Sequence, residues 1–146
     1  MSQYKKIMVA IDLSEDSTPI MERARTIADQ SRAELHLVHV IEPLSFAYGG
    51  DIPMDFSGIQ EEIHQQATEQ LRRFAESHNV DGEHQHILLG KPVVEIHAKA
   101  DELDIELIVV GSHGRYGLAL LMGSTANGVL HGANCDVLAV RVGKQK

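Results

Sequence analysis

The sequence has little sulfur and few aromatic residues: one cysteine, Cys135, no tryptophan, and 4% aromatic residues among 146. A single cysteine excludes an internal disulfide, which suits a reducing cytoplasm. No apolar run approaches the roughly 20 residues that a membrane-spanning helix needs. The opening MSQYKKIMVAID lacks the apolar core of a secretory signal. We therefore expect a cytoplasmic protein without membrane insertion.

Positive charge is also scarce. The chain has 13 Lys and Arg against 21 Asp and Glu, a formal net charge of −8. Lys5-Lys6 and the tail Lys144-Gln145-Lys146 are short pairs rather than a basic patch. A chain of this charge repels nucleic acid unless it carries a strong local basic patch. Nucleic acid is therefore not an expected partner.

Several familiar catalytic motifs are missing. Gly90-Lys91-Pro92 follows a predicted strand, but it lacks the upstream glycine and the Ser or Thr of a Walker loop. The sequence has neither the GxGxxG of dinucleotide-binding proteins nor the GxSxG of α/β-hydrolases. A nucleotidyl transferase would need HxGH after the first strand, where this chain has Asp12-Leu13-Ser14-Glu15.

What is present is a regular alternation of strand and helix patterns. Apolar runs predict strands at residues 6–11, 35–41, 84–89, 106–110 and 135–142. Helical patterns lie between them: one opens at Ser14 as N-cap, one covers 57–77, one starts at Pro92, and one covers 124–131, capped by Gly132. Near-continuous apolar strands indicate a sheet covered on both faces. The pattern predicts one α/β domain, residues 1–146, with a doubly wound parallel sheet.

Nine histidines raise the question of a metal site. His36 and His39 are three residues apart on a predicted strand and so lie on opposite faces. His84 and His86 share a face, but an isolated pair on an edge strand is typical of solvated surface. We therefore predict no metal site, and we interpret Cys135 as a structural cysteine.

In an open α/β sheet, ligands bind at the carboxyl ends of the strands, where the strand order reverses. Strand one ends at Asp12, and strand four leads into GSHGRYGLALLMGST, which begins at Gly111. If these strands are neighbours, Asp12 faces that segment across a crevice. Glycines at 111 and 114 allow backbone N–H groups to approach a phosphate closely.

The end of the same segment has a second feature that suits a phosphate. Gly123-Ser124-Thr125 precedes a predicted helix, whose N-terminus offers free N–H donors and two nearby hydroxyls. Arg115 adds a positive charge. The residues alone also allow a simpler interpretation, in which the glycines form turns and Ser124 caps the helix.

The chain resembles the universal stress protein family over essentially its whole length. The resemblance is carried by YKKIMVAIDLSEDS, LHLVHVIEP, ELIVVGSHGRYGLALLMGSTANGVL and CDVLAVRV. It implies an adenine-nucleotide α-hydrolase-like, Rossmann-like fold with five parallel strands in the order 3-2-1-4-5. It also implies a homodimer in which the last strands, Val137 to Val142, pair edge to edge.

Many members of this family bind ATP, and the resemblance assigns binding residues here. Ala10, Ile11 and Val40 would line the adenine pocket, and Asp12 would contact the ribose or adenine end. The residues implied for ribose and phosphates are Gly111, Gly114, Gly123, Ser124 and Thr125, with Mg²⁺ held by the phosphates rather than by protein ligands. Arg115 is added for its charge and position.

One feature departs from the ATP-binding members, which have nine residues between the second glycine and the Gly-Ser or Gly-Thr pair. Here eight residues, Arg115 to Met122, separate Gly114 from Gly123. One residue changes the reach of a loop by up to roughly 3.5 Å.

Two functions therefore stay open. The first is a cytoplasmic stress-response protein that binds ATP or a related adenine nucleotide as a sensor and acts on an unidentified partner protein. The second is a dimeric interaction module of the same fold without nucleotide. No residue stands out as a base that would activate water, so we expect at most a slow ATPase.

Overall fold

A computed structural model describes residues 4–43, 57–113 and 128–142. The described elements follow one another as β1 (Lys6–Ala10), α1 (Ser17–Ser31), β2 (Glu34–Ile41), α2 (Ser57–Ser77), β3 (Gln85–Leu89), α3 (Pro92–Glu102), β4 (Leu107–His113) and β5 (Asp136–Val142). A short 3₁₀ turn, Gly82–His84, leads into β3. Residues 128–132 are helical and lead into β5.

The strands form one five-stranded sheet in the order β3-β2-β1-β4-β5, and all four neighbouring pairs are parallel. The fold class and the strand order implied by the resemblance are confirmed. Since β1 and β4 are neighbours, the strand order reverses between them. The carboxyl ends of these two strands therefore meet at the expected crevice.

Helices cover both faces of the sheet, which explains the near-continuous apolar strands. Alternate residues of a strand point to opposite faces. On β1, Ile7 and Val9 pack towards α1 and α2, whereas Met8 packs towards α3 and the last helix. All three are fully buried. Each such side chain contributes about 1.5–3 kcal/mol through removal of apolar surface from water.

The predicted helix limits are confirmed for α2, which covers Ser57–Ser77, and for α3, which has Pro92 in its first turn. The predicted start of α1 is wrong. The helix begins at Ser17, no side chain caps it, and its first turn has no acidic residue. Ser14 lies in the preceding turn, where its hydroxyl bonds to Asp12. That bond competes with the capping role predicted from residue type.

The fourth strand is longer than predicted. It runs to His113 rather than to Val110, and Gly111 pairs with Val140 of β5. The first three residues of the predicted glycine-rich loop therefore belong to the sheet. A glycine was interpreted as the end of the strand, but pairing with β5 continues through it.

Two glycines bring the last helix close to α3. A Cβ on Gly128 would lie 2.7 Å from Val93, and a Cβ on Gly132 would overlap the ring of His97. The His97 Nε2 atom also lies 2.9 Å from the carbonyl oxygen of Val129. Gly132 is part of the helix, so it serves close packing rather than the predicted cap.

The prediction that His84 and His86 are solvated surface is wrong. His36, on the neighbouring strand, is 4% exposed, and its Nδ1 atom lies 3.0 Å from His86 Nε2. Burial is the main cause that lowers the pKa of His36. Burial, with the nearby charges of His36 and Lys99, lowers the pKa of His86 to about 4. Burial therefore favours the neutral form of both rings.

Candidate functional site

The candidate site is a cleft of about 360 Å³ at the carboxyl ends of β1 and β2, closed on one side by α2. It is lined by Asp12, Leu13, His39, Val40, Ile41, Glu42, Ile63, Gln66, Ala67 and Gln70. Asp12 and Val40 were both predicted as site residues. The other eight were not. Four of them lie on α2, which is distant in sequence and reaches the strand ends only through its docking: Ile63, Gln66, Ala67 and Gln70. The other four flank Asp12 and Val40 in the chain and were not assigned to the site: Leu13, His39, Ile41 and Glu42.

Asp12 lies at the point where the strand order reverses. Val9 of β1 pairs with Val109 of β4, so the same register, carried three residues on, places Asp12 level with Ser112. The pairing itself ends at Val9 and Val109, so the position of Asp12 opposite the start of the GSHG segment stays a prediction with which this register agrees. Gly114, Arg115, Gly123, Ser124 and Thr125 lie outside the described residues.

One oxygen of Asp12 holds the turn that leads into α1. Its Oδ1 atom accepts hydrogen bonds from the Ser14 backbone N–H at 3.0 Å, the Ser14 hydroxyl at 2.6 Å and the Ser17 hydroxyl at 3.4 Å. Within the described part of the chain, no donor bonds to Oδ2. That oxygen is available to a ligand in the cleft.

Leu13, which lines the cleft, has a φ of 65°. This left-handed conformation costs a non-glycine residue about 1–2 kcal/mol. Such conformations persist only where the surroundings fix them. Here the bonds from Ser14 and Ser17 to Asp12 fix the chain on both sides of Leu13.

His39 was missed as a site residue. Its Nδ1 atom donates a hydrogen bond to the carbonyl oxygen of Ile11 at 2.8 Å. Because Nδ1 carries the proton, Nε2 of the neutral ring is an acceptor. The sequence did give one signal, since His39 lies near the end of β2 on the face opposite His36.

Three other predicted residues lie close to the cleft without lining it. The side chain of Ile11 is 6% exposed and packs in the core beside α1, so only its backbone is near the cleft. Ala10 is half-buried and packs with the α3 layer. Gly111 is buried in β4, where a Cβ would lie 2.5 Å from Ile20 Cδ1. A side chain at 111 would force Ile20 of α1 to shift, so packing against α1 favours a glycine here whether or not a ligand binds.

The described lining of the cleft is apolar and acidic. Leu13 and Ile63 supply apolar surface, and Asp12 and Glu42 supply carboxylates. Val40 borders the cleft at the end of β2, but its side chain packs with the α3 layer. Among the described lining residues there is no lysine or arginine. This part of the crevice suits a flat apolar ring and hydroxyl groups better than phosphates.

A larger cavity, about 590 Å³, lies at the other end of the sheet beside Tyr4, Leu107 and Asp136. The hydroxyl of Tyr4 and the carboxylate of Asp136, which both line it, already bond to each other: the hydroxyl donates to Asp136 Oδ2 at 2.8 Å. The smaller cleft is the better candidate because it lies at the carboxyl ends of the strands.

The sheet order and the position of the crevice define an α/β protein with the Rossmann-like, adenine-nucleotide α-hydrolase-like fold. The sequence model of the universal stress protein family matches residues 3–141. Universal stress protein A homolog 2 of Coxiella burnetii is 40% identical over 146 residues, which cover 97% of this chain and 98% of that protein. The chain therefore belongs to the universal stress protein family, and this membership supports a role in the stress response.

Solved structures agree with this fold. Universal stress protein UspA from Lactobacillus plantarum is similar with a TM-score of 0.75 and 22% identity, over 97% of this chain and 100% of that one. A universal stress protein in complex with cAMP is similar with a TM-score of 0.62 and 26% identity, over 95% of this chain and 98% of that one. In the described ranges, no helix is both long and apolar enough to cross a membrane.

Proposed function

We propose that this protein binds an adenine nucleotide, ATP or a close relative, in the crevice and acts as a cytoplasmic sensor in the stress response. The observation that carries the proposal is the joint position of Asp12 and Val40 in one cleft at the strand ends. A relative of the same fold is known in complex with cAMP, which supports an adenine nucleotide as the class of ligand.

The described lining suggests how the nucleotide lies. The adenine ring packs on Leu13 and Ile63, beside the end of β2. The ribose hydroxyls donate to Oδ2 of Asp12, to which no donor among the described residues bonds. Ligand pockets of this kind combine apolar walls with a few polar groups that fix orientation. The phosphates then extend along the 111–125 segment, where Arg115 supplies positive charge and Mg²⁺ is held by the phosphates.

Asp12→Asn tests this arrangement. The amide keeps an Oδ1 acceptor for Ser14 and Ser17, but it replaces Oδ2 with an NH₂ group that cannot accept from ribose. We expect affinity for ATP, ADP, AMP or cAMP, measured by calorimetry, to fall at least tenfold. Asp29→Asn is the matched control, because it removes the same charge from an exposed position on α1.

Mass spectrometry of the purified protein checks for a retained nucleotide. Absence of heat with all four nucleotides would contradict the proposal. So would equal affinities of the Asp12→Asn and Asp29→Asn variants, since the cleft would then not be the binding site.

The second candidate is a dimeric interaction module without nucleotide. Its support is the absence of a cation in the described lining, together with the eight-residue spacing from Arg115 to Met122.

With or without a nucleotide, we propose a homodimer through Val137 to Val142. β5 is an edge strand of the sheet, and unpaired strand edges favour pairing with another chain. Light scattering at micromolar concentration measures the mass, and a monomer would contradict the proposed dimer.

A further inference from the structure

A second group of polar side chains lies at the amino ends of β2 and β3, at the other end of the sheet from the crevice. Glu34 and His36 are two residues apart on β2, so they project from the same face. The pairing of Leu37 with Gln85 places His36 level with His84, the last residue before β3. His84 is thus brought to the same face as Glu34 and His36, from which it is distant in sequence.

The carboxylate of Glu34 lies between the two imidazoles. Its Oε2 atom is 3.1 Å from His36 Nε2 and 3.0 Å from His84 Nε2. All three atoms lie within 4.8 Å of one another. Ligands that bind a tetrahedral zinc ion at about 2.0–2.2 Å are separated from each other by roughly 3.2–3.6 Å. The two distances from Glu34 Oε2 are therefore close to those between the ligands of a zinc site.

A fourth residue, His86, contacts the ring nitrogen of His36 that does not face Glu34. His36 Nδ1 lies 3.0 Å from His86 Nε2, and the two rings stack with centroids 5.2 Å apart. When His36 Nε2 binds a metal, Nδ1 carries the proton and donates a hydrogen bond to His86 Nε2. Metal-binding histidines in proteins nearly always have such a partner, which fixes their tautomer and orientation.

Burial and charge also suit a cation. His36 is 4% exposed, while the side chains of His84 and Glu34 are 24% and 39% exposed, so an ion can enter from the solvent side. Lys99 faces His86, but its ammonium pairs with Glu102 at 3.2 Å. The charge of Lys6 is the last of the causes that act on the pKa of His36, which it lowers. Glu34 is the carboxylate that would offset the charge of the ion.

We propose that Glu34, His36 and His84 bind one Zn²⁺ ion, with His86 as the positioning residue for His36. Two imidazoles and a carboxylate suit zinc rather than Mg²⁺ or Ca²⁺, which prefer oxygen ligands. Three protein ligands leave a fourth position for water. The ion joins β2 to the chain that enters β3, so it stabilises the edge of the sheet.

Zinc affinity after EDTA treatment, measured by competition with a chromophoric chelator, tests the site. We expect wild type to bind one Zn²⁺ per chain. His84→Gln should weaken binding by more than about 100-fold, and His86→Gln by about 10–100-fold, as for other outer-shell partners. His64→Gln, an exposed histidine on α2, is the matched control and should leave the affinity unchanged.

His84 is the main test residue because it is partly exposed, whereas His36→Gln alters a buried position. Circular dichroism of each variant without zinc verifies the fold. A further readout is the melting temperature, which zinc should raise in wild type but not in His84→Gln. Equal zinc affinity in wild type and His84→Gln would overturn the proposal. Equal losses in His84→Gln and His64→Gln would do the same, since they would indicate non-specific binding to histidines.

Discussion

The Oδ1 atom of Asp12 accepts a hydrogen bond from the Ser14 hydroxyl at 2.6 Å. The carboxylate proposed to bind a nucleotide therefore also fixes the turn between β1 and α1. The two roles use different oxygens, because Oδ1 serves the turn and Oδ2 faces no donor from the described residues. Stability and ligand binding can thus be separated by substitution at and near Asp12.

The free energy of unfolding should fall further as more hydrogen bonds of this turn are removed. Ser14→Ala removes a hydroxyl bonded to a carboxylate at an exposed site, so we expect a loss of about 1 kcal/mol. Asp12→Ala removes the acceptor of all three bonds, and we expect about 2 kcal/mol. Asp12→Asn should stay close to wild type. Urea denaturation measures all three variants, and wild-type stability of Asp12→Ala would show that the turn does not depend on this carboxylate.

Gly111→Ala should destabilise the protein by about 1–3 kcal/mol, as overpacking does. The new methyl group would lie 2.5 Å from the Cδ1 atom of Ile20, a buried side chain that would have to shift to admit it. Ile20→Val removes the Cδ1 atom concerned. We expect the double variant to lose less stability than the sum of the two single variants.

The same pair separates packing from ligand binding at Gly111. If nucleotide affinity returns together with stability in the double variant, Gly111 is required only for packing. If stability returns and affinity does not, the backbone at Gly111 also contacts the ligand.

Gly132→Ala should lower the unfolding free energy by about 1–3 kcal/mol, although alanine favours helices by about 1 kcal/mol over glycine. A Cβ there would overlap the ring of His97. Gly58→Ala is the matched control, since Gly58 lies on α2 with no atom within 4 Å of an added Cβ. We expect this control to be neutral or slightly stabilising. A stabilising effect at both positions would show that the last helix does not pack closely on α3.

Cys135 should react slowly with iodoacetamide. Burial, followed by the charges of Asp136 and Asp101, raises the pKa of its thiol. Less thiolate is therefore present at neutral pH than in a free cysteine. We expect alkylation to be several-fold slower in the folded protein than in concentrated urea, as measured by mass spectrometry. Equal rates would contradict the burial of this thiol.

The same pKa has a consequence for stability. The unfolded chain loses the thiol proton at a lower pH than the folded chain. The thiol therefore makes its full contribution to the free energy of unfolding below the unfolded pKa of about 8.5. That contribution is lost as the pH rises through the pKa of the thiol in the folded protein. Cys135→Ala should reduce the fall in the unfolding free energy at alkaline pH.

The sequence by itself determined most of the fold, because hydrophobic periodicity and the residues that begin and end helices and strands are local properties. The alternation of apolar runs with helical stripes located all five strands, and the limits of α2 and β3 differ by at most one residue from those predicted. The errors occurred where a side chain had two possible partners. Ser14 bonds Asp12 rather than capping α1, and β4 continues through Gly111 because β5 pairs with it.

Only the tertiary structure decided which side chains meet. Strand-end geometry was enough to place Asp12 at the crevice, but Gln66 and His39 joined it only through the docking of α2 and the register of β2. His36 and His84 were judged separately in the sequence, because nothing local indicates that their strands are neighbours with these residues level. Contacts between distant segments depend on strand order and register, and a local pattern does not contain them.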